Sequence, residues 1–105
     1  DSEATGTGCE IGARIGLRVD LEPGRGRRWP WIETATHIVS YAAAPTFEEA
    51  AELAMEELID MVRERHGLEY GEAFMLIGLA GDVRVNQACR AGIDVSVRIE
   101  FPKEF

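Results

Sequence analysis

The chain has one lysine (Lys103), two histidines (His37 and His66), three serines and two cysteines. Each scarcity removes a mechanism. Cys9 and Cys89 are too few for a disulfide scaffold. They read as reduced core residues of a cytosolic protein, with a single bridge as the open alternative. The two histidines lie far apart and lack the His-Glu-x-x-His spacing of a zinc protease. None of Ser2, Ser40 and Ser96 sits in a Gly-x-Ser-x-Gly elbow. A lone lysine argues against a Ser-Ser-Lys amidase mechanism within this chain. Gly6-Thr-Gly8-Cys-Glu-Ile-Gly12 has one residue too many for a dinucleotide fingerprint and precedes a strand instead of following one. No apolar run approaches the roughly 20 residues of a membrane span, and no signal-type leader opens the chain. A first residue of Asp1 leads us to expect a processed product, a split subunit or a trimmed chain.

Basic residues are also few. Nineteen acids face eleven bases over 105 residues, a formal net charge of −8, which argues against nucleic-acid binding. Most of the excess is local: residues 46–72 hold nine acids against Arg63 and Arg65. The rest of the chain is nearly neutral. Apolar residues make up 46%, enough for one small globular domain with a modest core.

Residues 9–21 alternate without a break. Cys9, Ile11, Ala13, Ile15, Leu17, Val19 and Leu21 are apolar or small, and every even position is polar or glycine. The pattern predicts a strand with one buried face, with Gly12 and Gly16 marking a bulge or a close backbone approach. Glu22-Pro23-Gly24 is its turn signal. Ile32–Ala42 reads as a second strand, closed by Ala43-Ala44-Pro45. Thr46-Phe47-Glu48-Glu49 is a capping box, and a helix is expected from there to about His66, ended by Gly67. At 100° per residue, Phe47, Ala50, Ala51, Ala54, Met55, Leu58, Met61 and Val62 fall within about 140°, with the acids opposite. Leu53 and Ile59 lie outside that stripe. A shorter, nearly all-apolar helix is expected over about Glu69–Leu79 and should be buried. Val83–Val85 reads as a short strand, and Ile93–Phe101 as a final alternating strand ended by Pro102. The expected class is α+β, with mixed or antiparallel strands, one long amphipathic helix and one shorter buried helix.

Two clusters invite a functional reading. Glu48, Glu52, Glu56, Asp60 and Glu64 form an i+4 ladder that sweeps roughly 160° of helix surface. That is too broad for one metal site, and it reads first as a solvated face, second as a dock for a basic partner. Arg25, Arg27, Arg28, Trp29 and Trp31 form a basic, aromatic loop. It reads first as a loop whose tryptophans cover the sheet edge or a neighbouring subunit, second as an anion or base-stacking site. His37 reads as a hydrogen-bonded structural residue, and His66 suits the C-terminal end of the helix dipole.

Three segments, in order and at matching spacing, resemble the C-terminal part of the acetamidase/formamidase family. Asp1-Ser2-Glu3-Ala4-Thr5-Gly6-Thr7-Gly8-Cys9-Glu10 is similar to the family's Gly-Asp-Gly-Glu-x-x-Gly-Thr-x-x-Glu, entered after its first glycine, with Ser2 in place of a glycine. Ile32-Glu33-Thr34-Ala35-Thr36-His37 is similar to Ile-Glu-Thr-Pro-Thr-His. Ala73-Phe74-Met75-Leu76, then Leu79-Ala80-Gly81-Asp82-Val83-Arg84-Val85-Asn86-Gln87, is similar to Ala-Tyr-Met-Leu…Leu-Ala-Gly-Asp-Leu-Arg-Val-x-Gln. The resemblance implies that residues 1–105 are the single C-terminal, small subunit of a metal-dependent hydrolase of short amides, completing a larger β-rich amidase fold. It implies that the partner is the N-terminal chain of the same enzyme, that the assembly is an oligomer, and that a small amide is the substrate. Neither nucleic acid nor membrane is expected. A divalent metal, zinc first and calcium second, is expected to be bound mostly by the missing chain. Asp1 is carried over as a metal or supporting ligand and Glu3 as general base. Asp82 and Gln87 are expected to tie the second helix to the strand after it. The alternative reading is a non-catalytic α+β binding or assembly module with no large exposed apolar patch.

Overall fold

The structure, a computed structural model, describes residues 8, 10–24, 26–88 and 92–105. Six elements follow in chain order: β1 (Trp31–Glu33), β2 (His37–Ala44), α1 (Phe47–His66), α2 (Tyr70–Ala80), β3 (Asp82–Gln87) and β4 (Val95–Pro102). The strands form one sheet in the order β1-β2-β4-β3, every pair antiparallel. The α+β class holds, and of the two strand arrangements expected, the antiparallel one forms.

The register sorts the side chains. Ile38 lies opposite Phe101, Ser40 opposite Ile99, and Ala42 opposite Val97. Directly opposed residues share a face, and this face is the buried one. The apolar stripe of α1 covers it through Ala54, Leu58, Met61 and Val62. Ile59, outside the stripe, is buried too, because α2 adds Ala73 and Ile77 to the same core. Phe101, Leu58, Ile59, Ile77 and Ile99 are the largest fully buried side chains.

Local chemistry sets the helix limits. The Thr46 hydroxyl accepts from the Glu49 amide at 3.2 Å, the expected first half of the cap. Gly67 takes φ 68°, left-handed, and its N–H donates to the Arg63 carbonyl at 2.8 Å. The two-way capping box is on α2, between Glu69 and Glu72. That helix is not wholly buried as its composition suggested. Ala73 and Ile77 are covered, whereas Phe74, Met75 and Leu79 are exposed.

The largest departure is at the strand expected over residues 9–21: Cys9 lies outside the described residues, and residues 10–21 form no strand. Ile11, Ile15, Leu17, Val19 and Leu21 are 76–88% exposed. A strand needs hydrogen-bonding neighbours and a surface for its apolar face, and the described residues offer this segment neither. Gly12 and Gly16, expected at a bulge or close approach, have nothing within 4 Å of a would-be Cβ. The second expected strand is divided: a turn at residues 34–36 separates β1 from β2.

Candidate functional site

Asp1 and Glu3, the two residues carried over as site residues, lie outside the described residues, as do Cys9, Arg25 and Cys89. The other two motifs are described, and each builds a distinct piece of structure.

The Ile32–His37 motif is the turn that joins β1 to β2. The Thr34 hydroxyl accepts from the His37 amide at 2.9 Å and from the Thr36 amide at 3.2 Å. The Thr34 amide donates to the His37 carbonyl at 2.9 Å. A threonine that satisfies the backbone in this way fixes a tight turn. Thr36 then hydrogen-bonds His37 Nδ1 at 2.8 Å, so the imidazole is committed locally, as expected of a structural residue. Lys103 clamps the turn from the far end of the chain. Its amide donates to the Thr36 carbonyl at 2.8 Å, and its ammonium donates to the Thr34 carbonyl and meets Glu33 at 2.6 Å. Glu33 also faces Arg65 at 3.6 Å.

Beside this turn lies a cavity of about 370 Å³, lined by Arg27, Trp31, Glu33, Ile38, Met61, Glu64 and Arg65. Its cations are already paired: Arg27 with Glu64 and, at 3.7 Å, with Glu57, and Arg65 with Glu33. Trp29 and Trp31 pack against the main core. The loop's described residues therefore cover the core and tie down α1, the first of its two readings. His66 stands edge-on to Phe101 with ring centroids 6.4 Å apart.

The second motif runs from α2 into β3. The Gly81 N–H closes the helix on the Ile77 carbonyl at 2.7 Å. A Cβ on Gly81 would lie 2.6 Å from that oxygen, so the motif's glycine is required by space. Asp82 opens β3 and meets Arg84 at 3.2 Å, and Gln87 closes it opposite Ser96. Asp82 stands at the junction of α2 and β3 and pairs within its own strand, whereas Gln87 lies at the opposite end of β3 from the helix, so the expected tie of Gln87 to α2 is not what the structure shows. On the sheet face turned away from the helices, Arg84 reaches Glu100 at 3.2 Å. Arg98 reaches Glu100 at 2.8 Å and Asn86 at 2.9 Å. The Arg98 hydrogen bond, more than the Arg84 charge, holds the Glu100 carboxyl below the usual carboxylate range, against the opposing pull of desolvation.

All five ladder acids are exposed. Asp60 meets Arg63 at 3.4 Å, Glu64 meets Arg27, and Glu56 accepts from the Tyr70 hydroxyl at 3.4 Å. This is a solvated face with local pairing. Among the described residues, no group of three or more His, Cys, Asp or Glu side chains could hold a metal ion. No described helix is long and apolar enough to cross a membrane. Nothing in the sequence pointed to the Lys103 clamp or to the Arg98–Asn86 hydrogen bond, because one spans 69 residues and the other depends on how β3 pairs with β4.

No family model matches this chain, and no curated protein matches it. Among solved structures, the crystal structure of acetamidase from Bacillus halodurans matches with a TM-score of 0.61 and 29% sequence identity. The match covers 72% of this chain and 26% of that one, so the chain spans about a quarter of the acetamidase's length. The helix-backed antiparallel sheet described above is thus an amidase-like fold, and the chain resembles the acetamidase/formamidase family in structure as well as in its ordered motifs.

Proposed function

We propose that this chain is the C-terminal part of an amidohydrolase that converts short linear amides, such as formamide and acetamide, to a carboxylate and ammonia. The observation that carries the reading is the acetamidase match, in which fold and 29% identity coincide over 72% of the chain. The exposed apolar positions of residues 11–21 support it further, because a self-sufficient binding module would not display them.

On this reading the described motifs are scaffold. The Thr34 turn, the Lys103 clamp and the Gly81 helix end hold the sheet, and the reacting groups come from residues 1–3 together with the N-terminal chain. Glu3 acts as general base and takes a proton from the attacking water. The new C–O bond forms at the carbonyl carbon, the C–N bond breaks, and the nitrogen leaves as ammonia after protonation. Asp1 would help hold a divalent metal, zinc ahead of calcium, bound mainly by the N-terminal chain. When bound, such an ion would supply charge stabilisation and a more acidic water. The enzyme is read as a cytoplasmic oligomer, active only with both portions present.

The test is ammonia release from formamide and acetamide by this chain alone, by its N-terminal partner alone and by the two together. Turnover confined to the combination, and lost in Glu3→Gln, is the expected result. Turnover unchanged by Glu3→Gln would remove Glu3 from the mechanism.

A further inference from the structure

Residues 11–21 carry most of the longest alternation in the chain and pair with no strand among the described residues. Ile11, Ile15, Leu17, Val19 and Leu21 share one parity and are all strongly exposed. The other parity is polar or glycine, and Arg18 meets Asp20 at 2.8 Å. A side-chain pair two residues apart lies on one side of an extended backbone. Paired as a strand, the segment would put an apolar side opposite a charged one. At about 3.4 Å per residue it would span roughly 37 Å, longer than any strand of the sheet. A free edge of this kind is a template for pairing with another chain.

The acetamidase match accounts for only about a quarter of that enzyme's length, so most of an amidase of this kind lies outside the 105 residues. We propose that residues 11–21 become a β-strand only when paired with a strand of the amidase's N-terminal portion, with their odd-numbered face buried against that portion. The inference rests on the amidase reading above and adds to it the surface and the mode of assembly, a strand addition in which backbone bonds give affinity and alternate side chains give specificity.

Hydrogen–deuterium exchange tests this directly. The chain is compared alone and mixed with its N-terminal partner, the polypeptide from the same genome that aligns with the part of the Bacillus halodurans acetamidase outside the match. Backbone amides of residues 11–21 are expected to exchange rapidly in the chain alone and roughly a hundredfold or more slowly in the mixture. Leu17→Glu, on the odd face, should weaken association at least about tenfold, and Arg18→Glu less than about threefold. Both positions are exposed, so neither variant endangers the fold of the chain itself. Equal exchange with and without the partner, no association at all, or equal effects of the two variants would each overturn the proposal. So would protection that appears in the chain alone and rises with its concentration, which would make a second copy the occupant. Ammonia release is read on the same samples. A complex with protected residues 11–21 and no amide hydrolysis would overturn the proposed activity and leave the strand addition standing. An active complex with those residues unprotected would do the reverse.

Discussion

Gly81→Ala should destabilise the fold for a reason that can be separated from ordinary glycine effects. Gly81 has φ −87°, a value any residue adopts, so backbone strain is not the issue. The obstacle is space. An added Cβ would lie 2.6 Å from the Ile77 carbonyl oxygen and 3.0 Å from Ile77 Cγ2. That oxygen also accepts the Gly81 N–H that ends α2, so relieving the clash disturbs the bond that stops the helix. Overpacking against unyielding atoms costs about 1–3 kcal/mol. Gly67 is the control: its Cβ would meet nothing within 4 Å, but its φ is 68°. Gly67→Ala should cost about 1–2 kcal/mol through left-handed strain, and Gly67→Asn should cost less. Gly81→Asn should be no better tolerated than Gly81→Ala. Adding Ile77→Ala to Gly81→Ala should give no rescue, because the carbonyl stays. Urea unfolding followed by the fluorescence of Trp29 and Trp31 measures all of these. A Gly81→Ala protein within about 0.5 kcal/mol of the parent, or one rescued by Ile77→Ala, would refute the reasoning.

Other substitutions carry their own signatures. Ser40 is fully buried on the helix-facing side of β2 and its hydroxyl has no hydrogen-bond partner among the described residues, so Ser40→Ala should stabilise by about 1 kcal/mol in the same assay. Arg27→Ala should cost about 1–3 kcal/mol, since it leaves Glu57, 11% exposed, without its cation. Glu100 titrates below the usual carboxylate range in the folded chain. Its contribution is therefore full above the unfolded carboxylate value and is lost as pH falls through the lower folded value. Stability measured against pH should fall less steeply on the acid side in Glu100→Gln, and parallel profiles would contradict that assignment. Phe101→Ala, at the centre of the core, should cost about 3–5 kcal/mol and unfold the chain at markedly lower denaturant.

The parts of the fold that were legible are those whose cause is local. The helix Phe47–His66 was readable at both ends because Thr46 and Gly67 are chemical stop signals, and its buried face followed from periodicity. The final strand was readable from its alternation alone. Residues 10–21 show the limit of the same rule. Alternation encodes a preference for pairing, and pairing needs a neighbour that the described residues do not supply. The break at residues 34–36 was concealed by β-branched composition, since Thr34 uses its hydroxyl to build a turn where its propensity favours a strand. The exposed side of α2 was hidden by its own hydrophobicity: Phe74, Met75 and Leu79 cannot be told from core residues without knowing what lies over them. The ordered motifs led to an amidase-like fold, but the pairs Glu33–Lys103 and Arg84–Glu100 came only with the register.

Under the proposed function, this chain completes an amide hydrolase. The most direct test is the release of ammonia from acetamide by the chain and its N-terminal partner, mixed and apart. Turnover is expected only in the mixture, abolished or cut at least about a hundredfold by Glu3→Gln. An associated, well-folded mixture that leaves formamide and acetamide intact would contradict it.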